Sequence, residues 1–159
     1  MEPEALALRL ESSALGAWAR GSAVGYPLAN SAHLLGLVML VGSIGLLDLR
    51  LLGLFRGLPA TALARNLIPL AATGLMLQAL SGFIMFAADA GPLTRSTVFR
   101  WKLAAIAAAL VNVVAFHVQW QHGLEEWNQR IPAATRVLAA ISLALWLSAA
   151  ALGRLIAYA

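Results

Sequence analysis

YPLANSAHLLGLVMLVGSIGLLDLR, residues 26–50, is an apolar run with one histidine near its start and an Asp/Arg pair at its end. At about 1.5 Å rise per residue, a helix of this length covers the roughly 30 Å hydrocarbon core of a bilayer. A histidine inside that thickness is costly to bury and marks a functional position by default. His33 is therefore where the reading of function begins.

The whole chain agrees with a membrane setting. Of its 159 residues 61% are hydrophobic and 11% charged, which leaves too few polar groups to coat a soluble globule. With no cysteine, disulfides, thiolate metal sites, iron–sulfur clusters and covalent c-type haem attachment are all excluded. Any cofactor has to be held by other ligands. The net charge of +4 comes from basic residues scattered at the ends of apolar runs, the pattern of membrane flanks and not of nucleic-acid binding.

Three further apolar stretches follow the first, so the spans fall at about 27–48, 67–88, 99–119 and 134–157. The expected fold is all-α, an integral membrane four-helix up-down bundle over residues 26–159. Residues 1–25 open with acids, lack a basic segment before an apolar one, and place Leu6, Leu10 and Ala14 near one face. They read as one short amphipathic helix on the membrane surface, not as a signal peptide. The joining segments carry Gly53, Gly57 and Pro59, then Asp89, Gly91 and Pro92, then Gly123, Glu125, Glu126 and Pro132, which is turn and interface chemistry. Trp101 and Tyr158 mark one interface, side A, and Trp120 and Trp127 the other, side B. The basic residues divide almost evenly between the sides; the crowding of Arg50, Arg56 and Arg65 after the first span tilts side B toward the cytoplasm of a bacterial inner membrane.

Helical periodicity then predicts the inner faces. They are His33, Gly36, Leu40 and Ser43 in the first span; Gly74, Gln78, Ser81 and Met85 in the second; Lys102, Ala105, Ala109 and Asn112 in the third; and Ser142, Ala149 and Gly153 in the fourth. Polar and small residues prefer protein to lipid, and small ones admit either close helix contact or a flat cofactor. Counting rise from side A, His33, Ser81, Met85 and Lys102 all lie within roughly 10 Å of that surface. His117 lies about 27 Å along its span, near Asp48, Arg50, Asn66 and His122, so it does not share an iron with His33. His117 and His122 are five apart, off the usual two-histidine metal spacing, and read as a solvated pair. Asp48 and Arg50 read as a charge pair at a helix end.

The pattern Tyr26-Pro27, His33-Leu34-Leu35-Gly36, Gly42-Ser43 and Asp48-Leu49-Arg50-Leu51-Leu52-Gly53, followed by Phe99, Lys102 and Asn112, resembles a family of small bacterial four-helix membrane proteins of unknown function. That family looks distantly like the copper-resistance D and b-type cytochrome class, in which helix histidines hold haem. The resemblance implies His33 as the intramembrane histidine, with Lys102 and Asp48/Arg50 as matching polar positions. A di-haem arrangement pairs histidines at each depth, whereas side A of this chain has one.

No Gly-x-Ser-x-Gly, His-Glu-x-x-His or glycine-rich phosphate loop is present. Two functional classes remain. In the first, His33 binds a redox group, b-type haem or a quinone, with Ser81, Met85 and Lys102 around it: imidazole for iron, methionine as a soft axial ligand, lysine for propionate charge. In the second, His33 simply bonds to Ser81, Gln78 or a backbone carbonyl, Lys102 snorkels, and the polar faces serve packing and partner recognition in a non-catalytic subunit. Small residues on several faces point to a homo-oligomer or a subunit of a larger membrane complex.

Overall fold

The computed structural model describes residues 3–120 and 131–158. Among these it contains seven α-helices and no strand: α1 (Pro3–Glu11), α2 (Ala14–Gly21), α3 (Gly25–Leu52), α4 (Ala60–Ala88), α5 (Ala90–Arg95), α6 (Thr97–Trp120) and α7 (Ala133–Leu155), closed by a 3₁₀ turn over Ile156–Tyr158. Helices α3, α4, α6 and α7 are each long and apolar enough to cross a membrane. Their outer faces carry large apolar side chains in the open, among them Val38, Val111, Val114 and Met76. Such a surface belongs in lipid, and the protein is a multi-pass membrane protein.

Helix α3 packs against α4 on one side and α7 on the other, and α7 against α6, so the four run up and down in the order α4–α3–α7–α6. The tightest seam is α3–α4. A Cβ on Gly74 would lie 2.7 Å from the Leu40 amide nitrogen and 2.8 Å from the Gly36 carbonyl, so the two backbones touch there. Helices α4 and α6 approach each other less closely, and at side A their seam is closed by the stacked rings of Phe86 and Phe99, 5.6 Å between centroids. Inside, one apolar cluster joins Leu40, Ala71, Ala109 and Trp146, and a second, toward side B, joins Leu47, Leu51, Ala60, Ala64 and Ala139.

Several boundaries differ from those read in the sequence. The N-terminal segment is two helices, broken where the Ser13 side chain caps α2 by accepting from the Gly16 amide. Helix α4 begins at Ala60, seven residues before the apolar run, and continues through Pro69. The turn expected around Gly91 and Pro92 is the short helix α5. The Glu125 and Glu126 segment, with His122, Trp127 and Arg130, lies outside the described residues.

Helices α1 and α2 are fastened to side A by polar contacts. Arg20 donates to the Ala88 carbonyl at 2.7 Å and to the Glu11 carbonyl at 2.8 Å, and pairs with the Glu11 carboxylate at 3.4 Å. Glu11 in turn accepts from the Gly91 amide at 2.7 Å. Bonds from a charged group to helix-end carbonyls contribute about 1.5–3 kcal/mol when buried and less here, where the Arg20 side chain is 39% exposed. Arg20→Ala is expected to release α1 and α2 while leaving the four long helices in place. Hydrogen exchange should then accelerate over residues 3–21 and stay unchanged over α3; equal protection in both proteins contradicts this reading.

Candidate functional site

The inner faces read from periodicity are the ones the bundle uses. Gly36, Leu40 and Ser43 of α3, Gly74 and Ser81 of α4, Ala109 and Asn112 of α6, and Ser142 and Ala149 of α7 are all buried. His33, Gln78, Met85 and Lys102 are half-buried on the same faces.

His33 meets Ser81 across the α3–α4 seam, with Nδ1 3.0 Å from the serine Oγ. The same hydroxyl donates to the Leu77 carbonyl of its own helix at 2.6 Å. A hydroxyl has one proton to give, so Ser81 accepts from His33 and the proton of a neutral imidazole sits on Nδ1. The Gln78 carbonyl also faces the ring. Nε2 is thereby left with its lone pair, the form in which imidazole binds a metal or accepts a proton donor. Gly82 makes room for this arrangement: a Cβ there would stand 3.1 Å from Cε1 of the ring.

Lys102 of α6 is close enough to His33 for its charge to act on the imidazole. Its aliphatic chain runs over Gly153 of α7, where a Cβ would lie 3.3 Å from Nζ. Among the described residues no carboxylate and no hydrogen-bond acceptor meets the ammonium. Three of the four expected site residues thus converge from three helices near side A. Met85 lies one turn beyond Ser81 on the same face of α4 and is half-buried. The hydrogen bond of His33 to Ser81, one of the partners the packing reading offered, is present as well.

Of the two uses open to the small residues, close helix contact and room for a flat cofactor, the described contacts are of the first kind. Gly36 and Gly74 bring backbone against backbone, Gly82 receives the His33 ring, and Gly153 receives Lys102. Between α3 and α4 at that level the close backbones leave no room for a planar group. A separate apolar groove of about 230 Å³ lies on the other side of Ser81, lined by Trp18, Ala29, Ala32, Leu77 and Leu80 and without His33.

At side B the expected Asp48/Arg50 charge pair does not form. Residues two apart on a helix point to nearly opposite faces, and both side chains are buried in different surroundings. Arg50 donates from Nε to the Leu58 carbonyl at 2.6 Å, tying down the loop after α3. Asp48 faces the Ser142 hydroxyl of α7. His117, near the far end of α6, is exposed and distant from His33, as its depth implied. Asn66 bonds back to the Ala62 carbonyl at 2.8 Å. Among the described residues no group of three or more histidines and carboxylates is placed to hold a metal ion.

Two buried residues escaped the periodic reading. Trp146 and Thr135 both lie on the inner face of α7, the first at four residues from Ser142 and the second at seven. The spacing 135, 142, 146, 149 is itself the signal, masked because tryptophan in a membrane helix suggests an interface. Beyond the structure itself, a family model described as "Family of unknown function (DUF6644)" matches residues 10–159. No curated protein and no solved structure matches the chain.

Proposed function

Starting from the premise that the chain belongs to the DUF6644 family of unknown function, we propose that it is a small membrane redox protein that binds b-type haem at His33, near side A. The observation that carries this reading is the imidazole held by Ser81 with its proton on Nδ1 and its Nε2 lone pair unused. A histidine that ligates iron normally gives its other N–H to an oxygen in this way. Lys102, a cation without a partner in the same layer, suits a propionate carboxylate. Haem would supply one-electron chemistry when bound; the chain's own part is to orient the imidazole through Ser81 and to compensate charge with Lys102. With one histidine at this depth, Met85 or a group from a second copy of the chain would be the other protein ligand to the iron, and we propose a bacterial inner membrane as the protein's setting.

A quinone is the second reading, favoured by Lys102. A lysine N–H donor beside an imidazole acceptor suits a headgroup that alternates between carbonyl and hydroxyl. The test is an absorption spectrum of the protein purified in native-lipid nanodiscs, before and after dithionite, with quinones extracted from the same sample. A Soret band that shifts on reduction supports haem, and a stoichiometric quinone without that band supports the second reading. Absence of both overturns the redox assignment in favour of a packing subunit.

A further inference from the structure

At the side B end of the bundle, 15 residues along α3 from His33, Asp48 is 4% exposed and its Oδ2 has no hydrogen-bond partner among the described residues. That separation corresponds to about 22 Å along the helix. The groups around the carboxyl do not neutralise it. On its own helix Arg50 is turned to the Leu58 carbonyl; on α7 Ser142 faces it while Arg136 is exposed; on α4 Arg65 is exposed; on α6 Asn112 is neutral and donates to the Leu138 carbonyl at 3.2 Å. Neither ion pair among the described residues includes Asp48. An ionised carboxylate buried with one hydroxyl for company costs several kcal/mol, and a bound proton removes that cost. A metal cation is a poor alternative, since a hard ion such as calcium takes 6–8 oxygens.

Among the described residues two other buried side-chain polar atoms lack partners, Trp146 Nε1 and Gln78 Nε2. Trp146 lies one turn from Ser142 on α7, packed with Leu40, Ala71 and Ala109; Gln78 packs on Gly36, one turn from Ser81. They therefore occupy successive depths between Asp48 and His33. Buried N–H groups left unpaired by protein are places for internal water. Chains of carboxyl, water and imidazole inside a bundle are the materials of proton transfer.

We propose that Asp48 is a proton-carrying carboxyl at the head of a file of internal water that the N–H groups of Trp146 and Gln78 anchor. The carboxyl gives its proton to water in the file and takes another from the aqueous phase at side B. No electron moves, so the inference goes beyond the redox assignment and stands without it.

Infrared spectroscopy of the full chain in lipid nanodiscs near neutral pH tests it. The wild type should show the carbonyl stretch of a protonated carboxylic acid, displaced in heavy water. Asp48→Asn should lose the band, and Asp48→Glu, which keeps the carboxyl if the asparagine protein fails to fold, should move it. Absence of the band in the wild type, or its persistence in Asp48→Asn, overturns the proposal. Trp146→Phe and Gln78→Leu should each slow the deuteration of the band severalfold; unchanged rates in both remove the water file.

Discussion

His33→Ala is expected to purify with its four long helices intact and with no redox group bound, the largest functional loss of any single substitution in the chain. The reason lies in the division of labour at the site. Ser81 gives its only proton to the Leu77 carbonyl, Lys102 offers charge but no lone pair while protonated, and Met85 offers sulfur and no nitrogen. Nothing else in that layer replaces the imidazole as a nitrogen ligand. Two companion variants separate ligation from mere presence of a ring. Ser81→Ala keeps His33 but frees its tautomer, and should weaken binding about 10–100-fold, the usual cost of losing such an outer partner. Gly82→Ala inserts a carbon 3.1 Å from Cε1, which displaces the ring by a few tenths of an ångström and should shift the spectrum of the bound group. Spectra and retained cofactor per protein are the measurements. A Soret band or quinone content unchanged in His33→Ala would end the assignment of His33 as its ligand.

The largest effect on stability is expected from Gly74→Ala. Its new methyl group meets the Leu40 amide nitrogen at 2.7 Å, the Gly36 carbonyl at 2.8 Å and the Met39 Cβ at 2.9 Å. Two of these are backbone atoms of a long helix, which cannot turn aside as a side chain does. The helices must part, and overpacking of this kind typically costs about 1–3 kcal/mol. In lipid the cost falls on the term that holds helices together, since close packing replaces the hydrophobic drive available in water. Gly42→Ala is the control: no atom lies within 4 Å of its added carbon, and alanine is the better helix former by about 1 kcal/mol. Thermal unfolding in detergent should show Gly74→Ala melting below the wild type and Gly42→Ala at or above it. Equal melting of the two variants would mean that the α3–α4 contact is not a determinant of the fold. Gly36→Ala should resemble Gly74→Ala, and the double substitution should cost less than the sum, because both methyl groups push the same pair of backbones apart.

Much of this protein follows from its sequence alone, because lipid imposes one strong rule. Backbone groups without water must bond within the segment, so four apolar runs of spanning length are four helices. The 3.6-residue period then places His33, Gly36, Leu40 and Ser43 on one buried face and Gly74, Gln78 and Ser81 on another, and equal depth brings Ser81 and Lys102 to His33. What periodicity cannot supply is the rotation and separation of one helix against its neighbour. Whether a glycine stripe holds a flat ring or a second backbone depends on an interhelical distance, and only the packed bundle shows Gly36 against Gly74. The N-terminal break at Ser13 was hidden because it depends on docking to the end of α4 through Arg20, a contact across 68 residues. Asp48 and Arg50 look paired because they are only two apart in the chain, yet the helix turns them apart, one to Ser142 and one to Leu58. Local chemistry and length are written in order along the chain, and so they can be read. The partner of a buried charge is chosen by whichever element arrives on its face, and that is decided only when the helices pack.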